Sequence, residues 1–572
     1  MRSGNIPRND ASTLSESRNG TRAGRGFLEV SPWFLCGLWT FTLIGLLIRV
    51  VRQPTLPGTY SMRLDELLYG GQRLLQGQLL FHGLVNGSQP LTQWLYAPSA
   101  WMESLLSHRL FILAIDIFSG ALLAWTLRNF ARVGLIDLRP GSSLPIAAVL
   151  FFVLAAQGFP EGISGLPEHF TNAFLVLALF SLSRLQQDSE GFSLRFLQVA
   201  LAGAALAFAL MGSPVLISPI VMVTIVSYLC LPKLRSQVGL LCALAGALMA
   251  MLVVFAPYGF LADGWVLAWA GSLQLPLEQA SRAPGNTDQL FHLLGVFLRV
   301  QVAGLPLWLL LLVPLLALMA YAFRLVRKPF SQADRVLILP LLSGLFGLEI
   351  LQAFLMRGME REEFELLILP VVLLLICGFA VMENSGLRIR GLGQVVLLIL
   401  SLILFNNIFL VNLLHLPRQP NAMVRALEAD RDATRRFLLS HPGEGFTAPQ
   451  DVALQRQLHQ RASTTGIGPE WSLNPRQLKP SWATRKLVLP TDPIAVCEQL
   501  TDPANQHLVW MRTDPDGPNT EAFFRACLKR QPGRWEDISD QLKLKSGHYR
   551  LFRRRMEPVT SSAADHALGV PS

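Results

Sequence analysis

The chain has 572 residues, of which 51% are hydrophobic and only 15% are charged, and its mean hydropathy is +0.39. Soluble domains carry about 25% charged residues, so this composition excludes an ordinary soluble enzyme. The apolar residues cluster into runs of about 20, the length of a helix that spans the hydrocarbon core of a bilayer. The sequence therefore predicts an α-helical polytopic membrane protein.

The formal net charge of +10 does not indicate a nucleic-acid partner. Much of the positive excess lies in the N-terminal tail and in short loops between apolar runs, where the orientation of the chain in the membrane explains it. The sequence also has no Walker A loop, no dinucleotide-binding fingerprint and no zinc-ligand spacing. An ATP-driven pump is therefore not expected, and membrane lipids are the expected surroundings.

The apolar runs define a membrane domain over 31–416, preceded by a tail. Residues 1–30 are polar and predict a disordered cytoplasmic tail. The first apolar run lacks a small-residue cleavage pattern behind it, so it is interpreted as an uncleaved signal anchor. The length criterion predicts about eleven membrane helices. The predicted spans are 32–51, 109–127, 143–158, 169–185, 194–212, 214–231, 237–257, 303–323, 335–355, 366–382 and 391–416.

The charges of the loops predict the orientation of the chain. Arginine and lysine concentrate in alternate short loops such as 128–139 and 324–335, whereas the loops between them carry Glu161, Glu168 and the acids of 360–365. The positive-inside bias then places the N-terminus in the cytoplasm. An odd number of helices places the C-terminal part outside. The expected location is the bacterial inner membrane.

The polar part of the chain lies mostly on the predicted outer side. Transporters tend to show inverted repeats around a midplane site, and no internal repeat is found here. This one-sided arrangement favours a protein that works at the outer membrane face. The large outer segments are the first loop 52–108, the loop 258–302, a small α/β extracytoplasmic domain over 417–555 and a disordered tail over 556–572. The expected elements of that domain are strands at 485–490, 507–512 and 548–552 and helices at 422–440, 493–501 and 519–530.

The first outer loop contains the most informative polar pattern. Leucines recur at helical spacing over 64–79, which predicts an interfacial helix lying in the headgroup plane. Asp65 and Glu66 stand at the start of this helix. A carboxylate there is suited to act as a general base on an acceptor hydroxyl near a lipid headgroup. The alternative is helix capping, because acids at an N-terminus complement the helix dipole.

Several segments together resemble the GT-C glycosyltransferases, in particular the protein O-mannosyltransferases and the lipid A aminoarabinose transferases. The resemblance begins with Asp65-Glu66-x-x-Tyr69 and continues through Gly77, Gln89-Pro90-Leu91 with Trp94, and Arg109 at the start of the second span. It extends to 167–182, 201–214 and 361–370. It implies a GT-C-like fold and the transfer of a sugar from a polyprenyl-phosphate-linked donor to a lipid, glycan or protein acceptor.

The same resemblance implies roles for individual residues. It places the catalytic base at Asp65, with Glu66 as the second acid of the pair and Glu168 as a further catalytic acid, and it implies inversion at the anomeric carbon. Cations are needed near the departing phosphate. The candidates are Arg361 and Arg357, with Arg109 or Arg49 as alternatives, although an interfacial arginine also snorkels to headgroups.

Other polar residues leave two interpretations open. Asp65 and Glu168, with His169, are suited to hold a divalent metal ion that assists the phosphate, whereas His169 alone is more typical of a polar contact. Asp116 and Glu349 lie inside predicted helices, where acids are costly and often functional. Packing of such an acid with Ser119, or with an arginine of a neighbouring helix, is the favoured interpretation.

Two cysteines of the C-terminal part are expected to pair. Cys497 and Cys527 lie on the predicted oxidising side, where a disulfide between them is expected.

Two other functions are alternatives to the transferase. A transporter or flippase of a lipid-linked precursor is the main one, and it would rely on charges near the midplane such as Asp116 and Glu349. A non-catalytic membrane scaffold is the third hypothesis.

Overall fold

The structure is a computed structural model, and it describes most of the apolar part of the chain. The described residues are 31–52, 90–102, 105–138, 142–158, 165–185, 192–230, 237–260, 264–269, 301–302, 305–326, 332–357, 361–384, 390–410, 445–447, 464–465, 507–512, 535–544 and 549–554, with scattered positions in 64–79, 291–295 and 413–437.

Helices occupy nearly all of the described membrane domain. In chain order they are α1 (Pro32–Arg52), α2 (Pro90–Met102), α3 (Leu105–Arg132), α4 (Leu144–Gly158), α5 (Pro167–Leu185), α6 (Phe192–Gly212), α7 (Ile217–Cys230), α8 (Gln237–Phe255), α9 (Gly264–Trp269), α10 (Leu307–Val326), α11 (Ile338–Arg357), α12 (Ile368–Asn384) and α13 (Arg390–Leu404). Short 3-10 segments precede or follow several of them, at Pro214–Leu216, Ala256–Phe260, Gln332–Leu337 and Arg361–Leu367, and a π-helical turn, Phe405–Leu410, continues α13.

Six of the described helical segments are long and apolar enough to cross a membrane. They are Pro32–Val51, Leu106–Arg132, Arg195–Gly212, Gly239–Phe260, Arg335–Ala353 and Phe364–Glu383. Shorter apolar helices lie at Leu144–Gln157, Pro214–Ile225, Pro314–Phe323 and Val395–Leu410. The chain is therefore a multi-pass membrane protein. Each predicted span coincides with a helix, but the predicted number of eleven crossings is not confirmed.

Helix α12 lies at the centre of the bundle. In the most apolar 18-residue stretch of Phe364–Glu383, 89% of the residues are buried inside the protein. The corresponding share in Gly239–Phe260 is 17%. Helix α12 joins α3, α4 and α13 in one apolar core. Glycines allow some helices to approach closely: a Cβ on Gly378 would meet the Pro314 side chain of α10 at 2.5 Å. Small residues at such crossings are typical of membrane bundles.

Contacts between the helix ends agree with the predicted alternation of the loops. At the predicted outer ends, the Tyr96 hydroxyl donates to the Gly165 carbonyl and the Asn172 amide donates to the Glu365 carbonyl at 2.7 Å. At the predicted inner ends, the Asn129 amide donates to the Ser183 hydroxyl at 3.0 Å. Segments predicted to share a side therefore contact each other. Which side faces the cytoplasm stays a prediction.

The described C-terminal residues form a five-stranded mixed sheet. Its strands are β3 (Gly445–Thr447), β4 (Thr464–Thr465), β5 (His507–Arg512), β6 (Trp535–Asp537) and β7 (Tyr549–Arg554), which follow a two-stranded pair of β1 (Gln301–Val302) and β2 (Leu305–Pro306). The order in the large sheet is β4-β3-β5-β7-β6, with β3 parallel to both neighbours and β7 antiparallel to both of its own. The strands predicted at 507–512 and 548–552 are thus present. The predicted strand 485–490 and the helices 493–501 and 519–530 lie outside the described residues.

Candidate functional site

The first turn of α5 is fixed from several directions. The preceding turn requires Gly165, because its φ is +63° and a Cβ there would meet the Ile112 side chain at 2.5 Å. Pro167 opens the helix, where its fixed φ suits the first helical position. The Tyr96 hydroxyl of α2 donates to the Gly165 carbonyl. This turn carries Glu168 and His169, which are 5% and 3% exposed.

His169 forms a buried polar cluster with two other helices. Its Nε2 lies 2.5 Å from Oδ1 of Asp116 on α3. The Nε2 of Gln157 on α4 donates to Oδ2 of the same carboxylate at 2.6 Å. The exposed fraction of each of these side chains is 3% or less. Because buried carboxylates are costly unless they are hydrogen-bonded, these two contacts explain how the bundle holds Asp116.

The partners of both intramembrane acids differ from the predicted ones. Asp116 contacts His169 and Gln157 rather than Ser119 or an arginine. Glu349 accepts a hydrogen bond of 2.8 Å from the Ser218 hydroxyl. Contacts with neighbouring helices are therefore sufficient to explain why both acids lie inside helices, which is the interpretation that the sequence favours. The transporter hypothesis, which rests on these two acids, stays a prediction.

Further along α5, a hydrogen bond joins the helix to the segment before α12. The Asn172 amide donates to the backbone carbonyl of Glu365, and the side chain of Glu365 is itself only 1% exposed. On the α6 side, a Cβ on Gly212 would meet the Thr171 hydroxyl at 2.5 Å. Asn172, Gln157 and Glu365 were not predicted as site residues. The available signal for Gln157 and Asn172 is a polar residue inside an apolar run, whereas Glu365 is one of several acids in the loop before a span.

Arg109 is a buried cation at the predicted outer end of α3. It is 2% exposed, and within the described part of the chain its Nε and Nη1 atoms have no hydrogen-bond partner. Residues at helical spacings of three and seven share a face, so Arg109 lies on the face that carries Ile112 and Asp116. Ile112 packs against Leu166 and Phe170. Arg109 therefore shares the α3 face that packs against the start of α5.

The residues that flank the predicted base pack beside this turn. Leu64 and Leu67 are buried in one cluster with Ile112, Leu166 and Phe170. Their segment is also held to α2, because the Gln93 amide donates to the Gly70 carbonyl at 3.2 Å. Helix α2 is in turn joined to α3 through Ser99 and His108, whose Oγ and Nδ1 atoms lie 2.8 Å apart.

Several predicted site residues are placed only in part. Asp65 and Glu66 lie outside the described residues. Arg357 is the last residue of α11, and Arg361 begins the following 3-10 segment, but their side chains are outside the described part. The predicted site residues whose side chains are described are Arg49, Arg109, Glu168 and His169. Arg49 is half-buried, and the other three are buried.

The predicted metal site and disulfide stay predictions. The described residues contain no group of three or more His, Cys, Asp or Glu side chains placed to hold a metal ion. The Nε2 of His169 already contacts Asp116, so the described members of the predicted ligand set do not form such a site. The remaining predicted ligand, Asp65, lies outside the described part, as do Cys497 and Cys527.

The comparisons with known proteins establish the fold. No family model matches the chain, and no curated protein matches it. It is similar to the solved structure of ArnT from Cupriavidus metallidurans bound to undecaprenyl phosphate, with a TM-score of 0.52 and 12% identity over 90% of this chain and 97% of that one. It also matches the apo state of ArnT from Cupriavidus metallidurans, with a TM-score of 0.49, 13% identity and the same coverage. The GT-C-like fold that the sequence motifs predict is confirmed.

Proposed function

We propose that the chain is a membrane glycosyltransferase that takes a sugar from a polyprenyl-phosphate-linked donor. The acceptor is a lipid, glycan or protein on the extracytoplasmic side of a bacterial inner membrane. The donor class is supported by the fold shared with ArnT, whose structure holds undecaprenyl phosphate. The protein-specific observation that carries the proposal is Arg109, a buried guanidinium with two nitrogens that no described residue satisfies.

The proposed reaction is a single displacement. Asp65 accepts the proton of an acceptor hydroxyl, and the hydroxyl oxygen forms the new bond to the anomeric carbon. The bond from that carbon to the phosphate oxygen breaks, and the electron pair leaves with the polyprenyl phosphate. Attack opposite the leaving group inverts the anomeric centre. No other chemical species is consumed.

Arg109 supplies the electrostatic part of the proposal. Charge grows on the phosphate as its bond to the sugar breaks, and a fixed cation at that position stabilises the transition state more than the ground state. A guanidinium suits this task because its planar donors match two phosphate oxygens. Arg357 and Arg361 are further candidates for the same anion, at the predicted outer end of α11.

The test follows the release of polyprenyl phosphate by the purified protein from a panel of polyprenyl-phosphate sugars. We expect Asp65→Asn to lower kcat by about 100-fold to 10,000-fold, because general base catalysis contributes about that much. The matched control is Asp137→Asn, which neutralises an exposed aspartate beyond the other end of α3. Equal turnover by Asp65→Asn and the wild type would remove Asp65 from the mechanism. Absence of release with every donor and acceptor tried would contradict the transferase proposal.

A further inference from the structure

We propose that Asp116 is a positioning residue of the site: through His169 it fixes the first turn of α5 and thereby the carboxylate of Glu168. This inference rests on the proposed function and assigns a role to an acid for which packing alone would suffice. Asp116 itself lies inside α3 and contacts the site through another residue. Its effect on the reaction is therefore an effect on geometry.

The geometry makes Asp116 a clamp between three helices. Its Oδ1 contacts His169 of α5 at 2.5 Å, and its Oδ2 accepts from Gln157 of α4 at 2.6 Å. Both carboxylate oxygens are therefore used by different neighbours. All three side chains are buried, so removal of the carboxylate would leave the Gln157 amide without its acceptor and the His169 ring without its close charged neighbour, which is costly.

The position of the clamp points to the site. His169 directly follows Glu168. Tyr96 holds the residues just before this turn through Gly165, and Asn172 holds the next turn through Glu365. A polar link of this kind is expected where a functional side chain must be held within a fraction of an ångström. Loss of one such link permits a small shift of the turn without unfolding α5.

A second polar link between the same helices provides a matched control. The Asn129 amide of α3 donates to the Ser183 hydroxyl of α5 at 3.0 Å, and both residues are buried. Asn129 lies 13 residues beyond Asp116, which is about 20 Å along a helix. Asn129→Ala therefore weakens the contact between α3 and α5 at the end far from Glu168.

The first experiment measures kcat and donor KM with the released polyprenyl phosphate as readout. We expect Asp116→Ala and His169→Ala each to lower kcat by about 10-fold to 100-fold at nearly constant KM, because small displacements of a catalytic group cost that much. The double variant should be no slower than the worse single variant, because the two residues act as one unit. His169→Gln, which offers Asp116 an amide N–H at a similar place, should recover most of the loss, whereas Asn129→Ala should leave kcat unchanged.

Two results would overturn the inference. One is an unchanged kcat in both Asp116→Ala and His169→Ala. The other is an equal loss of kcat in Asn129→Ala, since that would show a general effect of the α3–α5 contact. If Asp116→Ala does not fold, the comparison of His169→Ala with His169→Gln decides the question in the same way.

A second readout needs no donor and therefore separates this inference from the transferase proposal. Alkylation by a maleimide at position 168 of the folded full-length Glu168→Cys protein is followed by mass spectrometry. The buried position should be protected, and adding Asp116→Ala should speed alkylation by at least about fivefold through local opening of the turn. Adding Asn129→Ala should not. Equal protection in all three proteins would overturn the positioning role, even if polyprenyl phosphate release is found.

Discussion

At the scale of single residues, Arg109 combines burial with unsatisfied donors. Within the described part of the chain, its Nε and Nη1 atoms have no hydrogen-bond partner. An uncompensated buried charge opposes folding by several kcal/mol, so a purely structural protein gains nothing from keeping an arginine there. A bound phosphate would compensate the charge. The unliganded protein is therefore expected to carry a local instability that the donor relieves.

This expectation gives a test with two opposite effects. We expect Arg109→Met to raise the free energy of unfolding of the ligand-free protein by on the order of 1 kcal/mol, because it removes a buried charge. The same variant should lose the rise in Tm that a polyprenyl phosphate produces in the wild type. Both effects are measured by thermal unfolding in detergent, with Arg132→Met as the exposed control on the same helix. A lower Tm with an intact response to the lipid would assign Arg109 to structure alone.

At the scale of elements, the crossing of α6 and α8 depends on two glycines. A Cβ on Gly203 would overlap the carbonyl oxygen of Ala243, and a Cβ on Gly246 would overlap that of Ala200. The two overlaps are reciprocal, so each helix backbone lies directly against the other. Close approach through small residues is a main source of stability between membrane helices.

Replacement of either glycine should force the two helices apart. We expect Gly203→Ala and Gly246→Ala each to lower the free energy of unfolding by about 1–3 kcal/mol, the usual cost of overpacking. Gly37→Ala is the control, since a Cβ on Gly37 has no neighbour within 4 Å among the described residues. The measurement is Tm in detergent. Equal Tm values for all three variants would show that α6 and α8 accommodate the added methyl group without loss of stability.

The element scale also shows what the sequence can and cannot predict. An apolar run of about 20 residues has one stable form in a bilayer, so each predicted span coincides with a helix. The apolar face of 64–79 was predicted to lie in the headgroup plane, whereas Leu64 and Leu67 pack against Ile112 inside the protein. Helical periodicity identifies an apolar face, but it does not state whether lipid or protein covers it.

The sequence does not predict which side chains of the site contact each other across helices. Arg109, Glu168 and His169 were predicted from short motifs, and the structure buries all three. The contact of Asp116 with His169 and Gln157 joins three consecutive helices through side chains that lie 12 to 53 positions apart. Hydropathy locates helices without stating which are neighbours, so a partner on another helix had no signal.

At the scale of the whole molecule, the predicted orientation places the ends of α3 on opposite sides of the membrane. Trp101 on α2 and Asp137 beyond α3 are both exposed. In intact cells, a membrane-impermeant maleimide should label Trp101→Cys and should label Asp137→Cys only after lysis. This follows from the positive-inside rule. The opposite pattern would invert the topology and move the candidate site to the cytoplasmic side.

The first and last of the described helices, α1 and α13, are neighbours, and this contact has a consequence for biosynthesis. The Trp39 indole of α1 donates to the Ser401 hydroxyl of α13 at 2.9 Å, across 362 residues of sequence. At about 5–20 residues per second, the ribosome takes roughly 20–70 s after it has made Trp39 to reach Ser401. The hydroxyl of Thr42 donates to the Leu38 carbonyl within the same helix, whereas the indole N–H of Trp39 is too far from the backbone of its own helix to do the same. Nascent α1 therefore needs a temporary polar neighbour at Trp39, which the insertion machinery or a lipid headgroup would supply.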